Sequence, residues 1–253
     1  MKLKTTSALA LTVLLAGTAA MAQTAAPAAA PTPDYTLSYN LGAVSDYRFR
    51  GISQTSFKPA LQAGVDFAHK SGFYLGVWGS NVNWIKDFAG ATDGSLEVDV
   101  YGGYKGAITD SLGFDIGVIG YQYPSNNAVT NANTTEFYGA LTYGVVTAKY
   151  SQSSGNFVAN ANSSGSTYVE VAATFDLGNG FTLTPHVGRQ YIPNFNNTGD
   201  YNDYSLTLAK DFGNGLSVSL AAIGTNASDS FYKVTTFDNL GKNTAVLGLK
   251  YSF

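Results

Sequence analysis

The chain has 253 residues with no Cys, 28 Gly, 17 Tyr and 15 Phe; charged residues make up 12% and the formal net charge is -3. The lack of cysteine excludes a disulfide framework, a small acidic charge without a Lys/Arg run excludes a nucleic-acid surface, and a mean hydropathy of -0.01 excludes a bundle of membrane helices. Many Gly and aromatic residues among few charges suit a β-rich protein.

Residues 1–22 carry Lys2 and Lys4, an apolar run from Ala8 to Ala16, and Ala20-Met21-Ala22 before Gln23. That is the layout of a secretory signal with an A-x-A cleavage site, and the apolar run is well short of the roughly 20 residues of a spanning helix. Residues 23–34 are Ala/Pro low complexity, expected to form a flexible periplasmic lead.

From Tyr35 onward the pattern predicts twelve strands: 35–50, 59–69, 72–83, 95–105, 112–123, 134–143, 145–152, 166–176, 181–190, 201–210, 216–225 and 243–253. Most have the 9 to 11 residues of a tilted membrane strand. Their connections alternate between tight turns rich in Gly, Asn and Asp, as in Asp176-Leu177-Gly178-Asn179-Gly180, and longer polar loops, as in Asn226 to Lys242. Five turns and six loops in strict alternation predict an up-and-down antiparallel barrel of about 12 strands over residues 35–253, with both termini on the short-turn, periplasmic side.

The alternation of side chains is a second argument. Placing Leu96, Val98, Val100 and Tyr104 outward sends Glu97, Asp99 and Lys105 inward, and Leu112, Phe114, Ile116 and Val118 outward sends Asp115 inward. Strand 72–83 is ambiguous, because Tyr74 and Trp78 oppose Phe73, Leu75 and Val77. Continuing strand 35–50 in phase puts Tyr47 and Phe49 on the lipid face and Arg48 and Arg50 on the interior. Outward aromatics next to the short turns, among them Tyr35, Phe67, Phe73, Tyr104, Phe114, Tyr143, Phe175 and Phe181, form an expected girdle at one interface; Tyr47, Phe49, Phe137, Tyr150 and Tyr204 form a sparser one at the other. The last strand alternates Ala245, Leu247, Leu249, Tyr251 and Phe253 against Thr244, Gly248, Lys250 and Ser252. It resembles the closing strand of bacterial outer-membrane barrels, in which Tyr251 and Phe253 stand where the barrel-assembly machinery reads its signal.

Catalysis has little to draw on. Of the two histidines, His186 has inward phase and His69 sits at a turn, so neither offers a base to a nucleophile level with lipid. Asp87 and Asp93 lack the spacing of a calcium loop, and neither cofactor nor metal is expected. The interior is the functional candidate, lined by Arg48, Arg50, Asp66, Glu97, Asp99, Lys105, Asp115, Glu136, Lys149, Glu170, His186, Asp203 and Lys250. Twelve strands about 4.8 Å apart and tilted about 40° give a backbone radius of roughly 12 Å, leaving room for small solutes only. Seven acids against five permanent bases in that set imply a weak cation preference. The competing expectation is that these charges pair across a closed interior; a lipid-modifying enzyme is a third, weaker one.

Val44 to Thr55 (V-S-D-Y-R-F-R-G-I-S-Q-T), Lys58 to Phe67 (K-P-A-L-Q-A-G-V-D-F) and Gly72 to Val82 (G-F-Y-L-G-V-W-G-S-N-V) resemble the TorF family of porins. The resemblance runs over the whole mature barrel and is most specific in Y-R-F-R-G-I-S-Q. It implies a bacterial outer-membrane β-barrel acting as a porin, in contact with outer-membrane lipids and passing small solutes, and it brings no catalytic residues.

Overall fold

The computed structural model describes residues 33–234 and 238–253; the expected signal, and the lead up to residue 32, lie outside the described residues. In chain order the elements are β1 (Tyr35–Val44), β2 (Arg48–Phe49), β3 (Ile52–Ser53), β4 (Ala60–His69), β5 (Phe73–Asn81), α1 (Trp84–Asp87), β6 (Leu96–Ala107), β7 (Leu112–Gln122), β8 (Thr134–Tyr143) and β9 (Val146–Ser153). There follow β10 (Thr167–Ala173), β11 (Phe175–Gly178), β12 (Phe181–Tyr191), β13 (Tyr201–Asp211), β14 (Leu216–Thr225), α2 (Asp229–Tyr232) and β15 (Thr244–Ser252). Among the described residues no helix is long and apolar enough to cross a membrane.

Successive barrel strands pair antiparallel, and β1 pairs with β15 from Asn40↔Ser252 to Val44↔Gly248, which closes the sheet. The β10 and β11 segments are one strand interrupted at Thr174, since both pair with β12; counted so, the barrel has twelve strands. Closure satisfies every strand edge internally, a requirement in hydrocarbon. The tight turns set the register through residues that accept positive φ: Gly144 (φ 58) opens the two-residue connection between Tyr143 and Val146.

Register turns parity into two surfaces. On β15, Leu247, Leu249 and Tyr251 are 57%, 49% and 46% exposed while Val246 and Gly248 are buried. The same phase exposes Leu37, Leu41, Leu75, Val100, Ile116, Leu141, Val169, Leu206 and Leu220 around the wall, a continuous apolar belt suited to lipid. Rings pack along the turn-side rim of this belt: Tyr35 stacks on Phe67 at 5.7 Å, and tilted pairs form between Phe73 and Tyr104 at 4.9 Å, Tyr104 and Phe114 at 5.8 Å and Tyr251 and Phe253 at 5.8 Å. Strand β5 is no longer ambiguous, for Phe73, Leu75 and Val77 face out while Trp78 is buried within.

One expectation fails in the first strand, which ends at Val44 rather than running to Arg50. Its last neighbour contact is the Ser45 N–H on the Leu247 carbonyl, after which the chain turns into the barrel and forms the β2–β3 hairpin. Arg50 (φ 49) and Gly51 (φ 78) are both left-handed between the Phe49↔Ile52 pair, as a type I′ turn requires. Tyr47 and Phe49 therefore do not face lipid. Tyr47 is 4% exposed, edge-on to Trp78 at 5.4 Å, and Phe49 packs edge-on to Tyr121 at 5.3 Å. The upper girdle keeps Phe137, Tyr150 and Tyr204, which are exposed.

The long loops, 45–59, 82–95, 123–133, 154–166, 192–200 and 226–243, gather at the end of the barrel opposite the termini. Two apolar clusters pack them there. One joins Tyr47, Trp78, Trp84, Ile85, Tyr121 and Tyr123; the other joins Ile52, Tyr201, Tyr232, Val234 and Leu240. The Tyr232 hydroxyl donates to the Gly199 carbonyl at 2.6 Å, and burial pushes this phenol well above its usual pKa, keeping the proton that makes the bond.

Candidate functional site

All thirteen interior candidates point into the barrel or lie within it, but they do not line one open tube. Arg48 and Arg50 sit on the inserted hairpin, not on β1. Glu97, Asp99, Asp115, Glu136 and Asp203 are between 0% and 4% exposed, whereas Asp66, Lys149, Glu170, His186 and Lys250 keep partial contact with solvent and Lys105 is exposed.

From β5 to β10 the inward positions form a packed wall in which tyrosines answer carboxylates. The Tyr74 hydroxyl donates to Asp115 Oδ1 at 2.6 Å, Tyr47 to Glu97 Oε1 at 2.8 Å, Tyr121 to Glu136 Oε2 at 3.3 Å and Tyr168 to Asp203 Oδ2 at 2.8 Å. Tyr101 donates to Asp66, and the hydroxyls of Tyr74 and Tyr138 touch. The ammonium groups of Lys105 and Lys149 lie over the rings of Tyr74 and Tyr138, at 5.5 Å and 4.3 Å from their centroids. Inward glycines on neighbouring strands seat these rings: a Cβ on Gly76 would run into Tyr101, and one on Gly117 into Tyr138. His186 lies between Glu170 Oε2 at 3.0 Å and Asp203 Oδ1 at 3.4 Å. Both Asp99 oxygens, and one oxygen each of Glu97 and Asp115, are buried with no hydrogen-bond partner.

From β13 through β14 and β15 to β1 most inward residues nearer the turns are instead small, namely Ser205, Thr207, Ala209, Ser217, Ser219, Ala221, Gly248, Ser252, Ser38 and Gly42, while Asp203, Ile223, Val246 and Val44 take inward positions nearer the loops. Lys250 is the long charged side chain on this side. A cavity of about 50 Å³, room for a few waters, lies between the walls, lined by Asn40, Gln62, Trp78, Ser217, Ser219 and Lys250.

The first loop closes the opposite mouth. Arg48 Nε donates to Asp46 Oδ2 at 2.6 Å, and its Nη1 reaches the carbonyls of Gly51, Leu240 and Lys242 at 2.8, 2.9 and 3.1 Å, tying the hairpin to the sixth loop. Arg50 bridges the interior to the wall: Nη2 donates to Glu136 Oε2 at 2.6 Å, and Nη1 to Glu136 Oε1 at 3.0 Å and Gln190 Oε1 at 2.8 Å. The tyrosines and Gln190 were absent from the sequence candidates, although inward parity alone places Tyr101, Tyr121, Tyr138 and Tyr168 on the lumen side.

The other sequence candidates stay local. His69 Nδ1 meets the Ser71 hydroxyl at 2.7 Å and accepts the Ser71 N–H at 3.2 Å, a turn contact on an exposed hairpin. Asp87 accepts the Ser56 hydroxyl at 2.6 Å, and Asp93 caps the Gly94 N–H at 2.8 Å. Among the described residues no group of His, Cys, Asp and Glu could hold a metal ion.

The architecture has known counterparts. The KdgM porin, solved in complex with disordered oligogalacturonate, superposes with a TM-score of 0.55 at 9% identity, over 86% of this chain and 98% of that one. The NanC porin gives a TM-score of 0.53 at 11% identity, over 86% and 99%. At such identity the likeness is one of fold, a porin-like closed barrel of twelve antiparallel strands. No curated protein matches the sequence. A family model matches residues 28–253, which include all of the described residues, so the protein belongs to the Gcw_chp family of bacterial proteins of unknown function.

Proposed function

We propose that the chain is a bacterial outer-membrane porin of the TorF type, passing small hydrophilic solutes by passive diffusion. In this reading the termini and tight turns face the periplasm, the long loops face outward, and Tyr251 and Phe253 present the signal for barrel assembly. The observation that carries it is the small-residue wall. Four adjacent strands spend most of their inward positions nearer the turns on Ser, Thr, Ala and Gly beside a cavity with room for a few waters, although larger side chains there would stabilise the interior by filling it. The neighbours of like fold are porins, which fits a channel and not an enzyme. With most of the acids sealed beneath tyrosines and both arginines engaged, the expected cation preference is weak. Planar-bilayer recording tests the reading: the purified barrel gives discrete conductance steps, and their absence in both the wild type and variants that loosen the first loop defeats it.

A second reading has its own observation. The first loop is buried in the mouth, with Ser53 and Thr55 at 0% exposure, which favours a barrel closed at the loop end and serving a structural or surface role. Recording separates the two, because a permanent plug leaves the barrel silent.

A further inference from the structure

We propose that Glu136, Gln190, Tyr168 and Phe157 form a guanidinium-binding site in the barrel, which Arg50 of the first loop occupies as a built-in ligand and so holds the mouth shut. The contacts are those a planar cation with a fork of N–H donors needs. Two carboxylate oxygens of Glu136 take Nη1 and Nη2 at 3.0 and 2.6 Å, and the Gln190 carbonyl takes Nη1 at 2.8 Å. The guanidinium carbon lies 4.2 Å from the Tyr168 ring centroid and 5.5 Å from that of Phe157. A lysine ammonium, a point charge without the fork, would meet only part of this set.

The receptor does not depend on the loop that fills it. Its residues come from β8, β10, β12 and the fourth long loop, and with Arg50 in place all are 4% exposed or less. Gln190 is held in place by its own amide N–H groups, which donate to the Thr167 and Tyr191 carbonyls at 3.1 Å each, leaving its oxygen aimed at Arg50. The Tyr121 hydroxyl at 3.3 Å steadies Glu136. The third ring over the guanidinium, Phe49 at 4.7 Å, belongs to the hairpin and leaves with it. Withdrawing Arg50 strands a buried carboxylate, so the site favours being filled, by Arg50 or by a free compound with the same head group. The gating half of the proposal rests on the channel reading; the binding half does not.

The test uses R50A with guanidinium, and urea as its uncharged isostere. In planar bilayers R50A should conduct several-fold more than wild type, and about 10 mM guanidinium should return the current towards the wild-type level while urea leaves it unchanged. In detergent, guanidinium should raise the melting midpoint of R50A by a few degrees and leave that of the R50A/E136Q double variant where it was. Should R50A refold poorly, its folded yield with guanidinium against equal urea reads the same site. Equal effects of guanidinium and urea, or equal shifts in R50A and R50A/E136Q, overturn the proposal. If neither wild type nor R50A conducts but the guanidinium-specific shift persists, the channel reading fails and the site stands.

Discussion

Between β5 and β10 the inward positions include tyrosines, a tryptophan and most of the interior carboxylates, whereas from β13 through β15 to β1 those nearer the turns carry mostly serine, threonine, alanine and glycine. Both halves obey the same parity and present the same apolar outer belt, so the bilayer does not distinguish them. What differs is whether side chains meet across the interior. On the first half they do, and the inserted hairpin locks onto them through Tyr47, Arg48 and Arg50; on the second they leave a cleft. A barrel can thus be packed along one side and leave a cleft along the other, because its backbone hydrogen bonds hold the cylinder without help from the lumen.

The sharpest way to break this comparison is to remove one anchor of the packed half. Replacing Glu136 by Ala leaves the buried Arg50 without its carboxylate, and we expect a loss of about 3–5 kcal/mol in urea unfolding from lipid vesicles. A charge on the shared outer surface comes next. L247R, on an exposed position of the last strand, should cost about 2–4 kcal/mol in the same assay if it lies near the bilayer midplane. Next is the hairpin turn. Gly51 holds φ 78, and a Cβ there would meet Thr225 Cγ2 at 2.5 Å and Asp203 Cβ at 2.9 Å. G51A should cost about 1–3 kcal/mol and expose the first loop to limited proteolysis. The smallest effect on stability belongs to the open half: S219A should stay within about 0.5 kcal/mol, while S219W, filling the cleft, should lower conductance.

Much of the barrel was legible because a strand wet on one side and greasy on the other must alternate. The bounds of β8 and β14 were read directly, and Glu97, Asp99 and Asp115 were assigned to the interior by phase alone. The first loop was misread for the same reason. Y-R-F-R alternates as well as any strand, and periodicity cannot reveal that pairing with both neighbours stops where β1 does, at Ala60 on β4 and near Leu247 on β15. The turn signal was Arg50-Gly51, which starts on the last residue of that segment. The Arg50 receptor could not be read, since it brings together residues 86 and 140 positions apart from it in sequence. The seating of Tyr101 on Gly76 also escaped, as glycine content announces turns more readily than a ring lying across a neighbouring strand.

Because the chain has no native cysteine, single cysteines carrying a nitroxide can be walked from Ala245 to Tyr251 along the closing strand in lipid vesicles. The account predicts that collision with oxygen dominates at 245, 247, 249 and 251 and collision with a water-soluble nickel complex at 246, 248 and 250. Accessibility that lacks this two-residue period, or shows it with the phases exchanged, would contradict a lipid-embedded cylinder sorted by parity.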